Sequence, residues 1–377
     1  MSPVRTYYYS SKYSFIKKLS FKKSEAADFS TTLKNRVAAY LKINGKNRFG
    51  NRAMILKTTF MLSLYFVPLS IICFGGITHS WHLFALFILS GLGMAGIGMG
   101  IMHDALHGSY SKSKNLNRWM GYTMNLIGAS DEVWKLQHNV LHHSFTNIDE
   151  HDDDINAPFF LRFSPHAKKN RLHSFQHYYV WLFYGLSTMS WITSKDFIRL
   201  NRYRKLGLIK GEGEYRRLLL RIIFWKLIYF SYVLVLPLLL TSFAPWMVVL
   251  AFLTMHFVTG FCISIVFQTA HVMPDTSYPL PDSAGKLEQE RLIHQLATTC
   301  NFAPRSTLFS WLIGGLNFQI EHHLFPHISH VHYKNIAPIV KKTTEEFGVP
   351  YYSYSTFFSA VKSHGTMLRK LGTMPCE

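Results

Sequence analysis

Long apolar runs separated by basic, histidine-rich stretches dominate the chain. Four runs reach the roughly 20 residues that a helix needs to cross a bilayer: about 54–74, 82–102, 218–240 and 245–268. The links within each pair are short, one holding Gly75 and Gly76 and the other running over 242–245. Each pair therefore reads as a membrane hairpin. A helical period also runs through 29–43, with Phe29, Leu33, Val37, Tyr40 and Leu41 on one face. The segment 119–127 is apolar but too short to span. The segment 175–193 is interrupted by Tyr178, Tyr179, Trp181, Tyr184 and Trp191, which suits a helix lying in the membrane interface. Residues 273–285 are rich in Pro, Asp and Ser and read as a loop.

The second run carries Gly91, Gly93, Gly96, Gly98 and Gly100. So many glycines weaken a helix unless they let neighbouring backbones approach closely, as small residues do in lipid. The expected fold is all-α and membrane-integral: four transmembrane helices in two hairpins, beneath a helical cytoplasmic cap that holds a dimetal site. It divides into a basic N-terminal segment 1–53, a membrane domain 54–335 and a C-terminal segment 336–377.

Charge sets the orientation. The net charge is +19, with charged residues only 16% of the chain. Residues 1–53 hold 12 Lys and Arg, residues 103–217 hold 16 and residues after 271 hold nine, whereas the links at 75–82 and 241–245 hold none. By the positive-inside rule both termini and the histidine-rich stretches are cytoplasmic. Basic residues so dispersed do not form a nucleic-acid recognition element, and they suit anionic lipid headgroups instead. Cys73, Cys262, Cys300 and Cys376 are far apart and form no CxxC, which excludes a disulfide framework or a zinc finger. The basic, Tyr-rich first 30 residues lack the apolar core of a cleavable signal.

Twenty histidines make roughly one HxxxH a chance event, so spacing alone is weak evidence. His173 and His177 supply such a decoy. Three clusters rise above it: His103-Asp-Ala-Leu-His107, His138-Asn-Val-Leu-His142-His143, and Gln319-Ile-Glu-His322-His323. On an α-helix, residues four apart lie about 40° apart and adjacent residues about 100° apart. His103 with His107, and His138 with His142, can each serve one centre, and His143 then points to a second. Paired donors of this kind suit a dinuclear site, and imidazole-rich, thiolate-free coordination fits Fe, Cu, Zn or Ni. His271, just past the fourth run, emerges on the same side and is an expected extra ligand. Asp152, Asp153 and Asp154 read first as a solvated acidic loop, with hydrogen bonding to ligand imidazoles as the alternative. Asp104 and Glu321 carry the same two readings. His79, His82, His256, His294, His327, His330 and His332 are expected to be structural or solvated, His327 and His330 also lying close enough to support a ligand.

The three boxes, in this order and beside these hairpins, resemble the membrane fatty acid desaturase family over about 50–335. The Gln-led third box, in Gly-Leu-Asn-Phe-Gln319-Ile-Glu-His-His-Leu-Phe-Pro, is similar to the front-end branch. The resemblance implies two non-heme irons, O2 as co-substrate, and ligands at His103, His107, His138, His142, His143, His322 and His323. It matches His271 to an extra histidine after the fourth helix and puts Gln319 where other branches have a histidine. It further implies an acyl-CoA or acyl-lipid substrate in a narrow apolar tunnel, with Trp134, one turn before His138, in its wall. No HPGG motif of a fused cytochrome b5 is present, so a separate electron donor, ferredoxin or cytochrome b5, is expected. A membrane hydroxylase or ketolase acting on alkane, sterol or carotenoid is the nearest alternative, and a non-enzymatic metal-binding membrane protein a more distant one. A zinc protease built on HExxH is excluded, since no His-Glu dipeptide occurs.

Overall fold

A computed structural model describes residues 19–22 and 27–375. Cys376 and most of the first 26 residues lie outside the described residues. The chain is mostly helical. Four helices are long and apolar enough to cross a membrane: Arg52–Phe74, Ser80–Leu106, Gly211–Leu240 and Pro245–His271. Asn51 caps the first by accepting from the Ala53 N–H, and Pro245 opens the fourth at a position where its missing N–H costs nothing. Each helix is longer than its apolar run. The second and fourth extend beyond the apolar stretch to carry His103 and His271.

The second helix sits at the centre, with 67% of its apolar window buried in protein against 28% for the third. Its glycines explain this position. A Cβ at Gly93 would lie 2.5 Å from the Tyr65 nitrogen of the first helix, and one at Gly91 would lie 2.7 Å from the Met255 oxygen of the fourth. Only a bare backbone fits at those crossings, and Thr259 Oγ1 uses the closeness to donate to the Gly91 carbonyl at 2.9 Å. The close-packing reading of the glycine run therefore holds.

The aromatic-rich segment forms a helix, Gln176–Ser190, that packs along the fourth helix where Gly185 meets Gly260. Phe175, Tyr178, Leu182 and Leu186 are exposed at spacings of three and four, so the helix turns one apolar face outward. The helix Ala27–Ile43 buries Phe29, Leu33 and Val37 against the helix Tyr333–Glu346, as its period predicted. The expectation of an all-α chain misses two short parallel strand pairs. Ser20–Phe21 pairs with Lys286–Leu287, and Cys300–Phe302 pairs with Tyr352–Tyr354. Segments of two or three residues carry no periodic signal.

π-Helical turns interrupt several helices, at Ile97–Ile101, Leu136–His142, Trp191–Lys195 and Ser231–Val235. Such turns hydrogen-bond i to i+5 and concentrate at functional sites. The first two lie beside the first two histidine boxes.

Candidate metal centre

Eight histidines from four separated segments converge in one buried region. The second helix ends on His103 and is capped by His107. The π turn supplies His138 and His142, and His143 follows it. His271 closes the fourth helix, and a short helix, Gln319–Leu324, brings His322 and His323.

Their ring nitrogens form overlapping groups. Nitrogens of His103, His107, His138 and His322 lie within 4.8 Å of one another, as do those of His142, His271 and His323, and those of His143, His322 and His323. His143 Nε2 lies 3.2 Å from His138 Nε2 and 2.9 Å from His322 Nε2, so it stands between the two larger groups. Ligand atoms of His138 and His142 also lie within 4.8 Å of one another, in a group with Asp154, and His138 is drawn toward His143 besides. A π turn advances less per residue, so His138 meets His143 at i+5, and His142 swings toward His271 and His323.

The outward nitrogens are held. His142 Nδ1 donates to Asp152 at 3.0 Å, and His323 Nδ1 to Gln295 Oε1 at 2.7 Å. His271 Nδ1 donates to the Thr298 carbonyl at 3.2 Å, and His322 Nδ1 is 3.2 Å from the Tyr333 hydroxyl. A proton fixed on Nδ1 leaves the Nε2 lone pair free. Nε2 of His107, His142, His271 and His323 is buried without a hydrogen-bond partner among the described residues. Buried acceptors are costly to leave unpaired. Metal ligation satisfies them, so the donor set fits a metal centre made of nitrogen ligands.

Charge agrees. Burial and neighbouring imidazoles push His107, His143, His322 and His323 well below the usual histidine range, which keeps them neutral and able to ligate. Burial also pulls His138 down to about 4, against the pull of Asp154. His142 runs the other way: burial lowers it, but the Asp152 and Asp154 carboxylates outweigh burial and raise it to about 9.

The acidic run is thus not a solvated loop. Asp152 and Asp153 are buried, and Asp154 is half-buried. Asp152 holds His142. Asp153 pairs with Arg199 at 2.9 Å and accepts from Tyr203 at 2.7 Å. Asp154 lies 3.5 Å from His142 Nδ1 and 3.9 Å from His138 Nδ1. Asp104 accepts from Ser329 Oγ at 2.6 Å and lies 3.0 Å from His330 Nδ1. Lys57, buried in the first helix, meets the far side of that ring at 2.7 Å. Glu321 accepts from Asn301 and Tyr351, and burial holds its carboxyl up at about 7. Gln319 is fully buried, and neither amide atom has a hydrogen-bond partner among the described residues. His173 is spent on a helix start, where its side chain accepts from the Asn170 N–H. His256 lies between Tyr229 and Thr188 and so is structural, as expected.

Beside the histidines lies a mostly apolar cavity of about 560 Å³, with Trp134 and His138 in its wall. Trp134 stacks on His138, centroids 4.3 Å apart. The second and fourth helices contribute Met102, Gly98 and Met94, and Phe267, Ile263 and Thr259. These positions step away from the histidine end along the helix axes, and at 1.5 Å per residue the nine residues from His103 to Met94 cover about 13 Å.

Four helices apolar enough to cross a membrane, a buried imidazole cluster compatible with a metal site, and a mostly apolar cavity along its side define the class: a membrane protein with a histidine-lined candidate metal centre. The model of the fatty acid desaturase family matches residues 79–355. The chain is 37% identical over 359 residues to an acyl-lipid (8-3)-desaturase of Physcomitrium patens, covering 94% of this chain and 74% of that protein. It is 32% identical to an sn-1 linoleoyl-lipid 6-desaturase of Arthrospira platensis, covering 97% and 96%, and 33% identical to one of Synechocystis, covering 91% and 95%. The chain belongs to the fatty acid desaturase family. It is an integral membrane oxidoreductase that desaturates fatty acyl chains.

Proposed function

We propose that this protein is an O2-dependent desaturase of lipid-linked acyl chains, with two non-heme irons held by His103, His107, His138, His142, His143, His271, His322 and His323. The observation that carries the proposal is the convergence of these eight side chains against one wall of an apolar cavity. A set of nitrogen donors without thiolate suits iron, and their number exceeds what one four-coordinate metal needs. Gln319 lies one turn before His322 and His323 with its amide unpartnered, and we assign it to the same centre. When bound, the diiron group supplies the activation of O2 that removes two hydrogens from neighbouring methylenes, a chemistry no side chain provides.

The protein's own residues do the rest. Asp152, Gln295, Tyr333 and the Thr298 carbonyl aim the imidazoles inward. Trp134 packs against His138 and shapes the wall over which the reacting carbons lie. Met94, Gly98 and Ile263 receive the chain beyond them. Holding a flexible chain in one register before reaction removes an entropic barrier that the chemistry would otherwise face. The overall reaction joins O2, two electrons and two protons with the two hydrogens removed, giving one double bond and two waters. The electrons come from a separate donor, ferredoxin or cytochrome b5. We place the spans 52–74 with 80–106, and 211–240 with 245–271, as two hairpins within a membrane domain 54–335. Both termini and the metal-bearing cap are then cytoplasmic, the side to which the basic segments belong.

The relatives named as acting on acyl lipids favour a lipid-linked substrate over acyl-CoA, and so does the exposed apolar face of Gln176–Ser190 beside the cavity. Expression in a host of known lipid composition tests the proposal. New double bonds at one position support it. Oxygen retained in the acyl chain would establish a hydroxylase instead.

A further inference from the structure

The cavity has a polar end, lined by Gln137, Asp153, Asp154, Lys195, Arg199 and Gln268. Most of these groups are engaged. Arg199 binds Asp153 at 2.9 Å. Gln137 Nε2 donates to Asp154 Oδ1 at 2.6 Å, and Gln268 Nε2 to the Asp154 carbonyl at 3.3 Å. Lys195 differs. Among the described residues its ammonium makes no hydrogen bond and no ion pair. It rests over the Trp191 ring at 4.5 Å, and Trp191 lines the same cavity.

The charges around Lys195 are Arg199, Asp154, Asp153 and Asp196, and the carboxylates have other partners. Asp153 also pairs with Arg202 at 3.2 Å, Asp196 binds Lys226 at 2.8 Å, and Asp154 lies against His142 and His138. A half-buried ammonium with donors that no protein group among the described residues takes up, beside a mostly apolar cavity, is available to an acceptor that enters the cavity. An acyl chain entering this cavity carries one such acceptor, the carbonyl oxygen at its head.

We propose that Lys195 donates a hydrogen bond to the carbonyl oxygen of the acyl ester or thioester and so sets the carbon count from the head of the chain to the histidine wall. This rests on the reading of the cavity as the acyl site. The geometry suits it. Asp154, which lines the cavity with Lys195, is 3.9 Å from His138 Nδ1, so the head end and the metal wall are neighbours. The long apolar remainder runs the other way, into the spans. An anchor near the wall with an open tail beyond it counts from the carbonyl and tolerates variation at the methyl end.

The test compares wild type with Lys195→Met and Lys195→Arg in a host of known lipids, mapping every new double bond. Lys195→Met should lose roughly tenfold in conversion, the size of one charge-assisted hydrogen bond, and spread its bonds over adjacent positions. Lys195→Arg should keep one position. Unchanged conversion at a single position in Lys195→Met overturns the proposal.

If Lys195→Met gives no product, binding decides. Linoleoyl glycerolipid, linoleoyl-CoA and a hydrocarbon of the same length are each used to displace a fluorescent acyl probe from purified protein. Wild type should prefer a carbonyl-bearing ligand to the hydrocarbon by roughly tenfold, and Lys195→Met should not. A preference kept by the variant refutes the anchor, and the better of the two esters identifies the carrier. Gly98→Phe tests the cavity itself, because a Cβ there already comes within 3.3 Å of Ile263. If folded Gly98→Phe protein binds all three ligands as wild type does, the acyl reading of the cavity has failed, and the Lys195 assignment fails with it.

Discussion

At the residue scale, the boxes were legible and their supports were not. His103, His107, His138, His142, His143, His322 and His323 announce themselves by short spacing. Gln295 and Tyr333 give no signal, because nothing in the sequence tells a partner of His323 or His322 from any other Gln or Tyr. Asp152 was visible but underrated: an acidic run is usually solvated, and only the fold turns this one inward onto His142. Its role is testable. Asp152→Asn keeps the shape and removes the charge that holds His142 Nδ1. Iron affinity or activity should fall about 10- to 100-fold, the usual cost of losing such a support, in protein that still folds. Full iron affinity and full activity would show that Asp152 does not orient the ligand.

At the scale of elements, the spans came through to within a few residues, except at the N-terminal end of the third, which starts at Gly211 and not at 218. Apolar length is a strong signal, whereas the helix ends run into polar sequence that the cap covers. The winding within elements was not legible. An α-helical reading pairs His138 with His142 and gives no sign that the π turn over Leu136–His142 also brings His143 Nε2 to 3.2 Å from His138 Nε2. The glycine run was read correctly because lipid leaves few other uses for it. Gly93→Leu should therefore fail at the crossing with the first helix, where Tyr65 leaves no room for even a Cβ. Overpacking typically costs 1–3 kcal/mol, and a clash with backbone falls at the upper end or beyond. The folded yield and the midpoint of thermal unfolding should both drop, whereas Gly213→Ala, in open space, should change neither.

At the scale of the whole molecule, a metal held by the eight histidines would tie distant parts of the chain together. They are spread from position 103 to position 323, so ligation would link the second helix, the π turn, the fourth helix and the third-box helix. Binding that favours the folded state stabilises it by mass action. Removing iron with a chelator should lower the unfolding midpoint and abolish product formation. Fe(II) should restore both, and Zn(II) should restore only stability. Restored activity with zinc would contradict a redox role for the site.

The central claim is that this imidazole cluster desaturates an acyl chain lying in the adjacent cavity. Double-bond mapping of the lipids of a host expressing the wild-type chain or its His142→Ala variant tests it most directly. Wild type should yield fatty acids two hydrogens lighter, with the bond at one defined position and no added oxygen, and the variant should insert in the membrane yet yield none. An oxygenated product, or equal desaturation by the variant, would contradict the account.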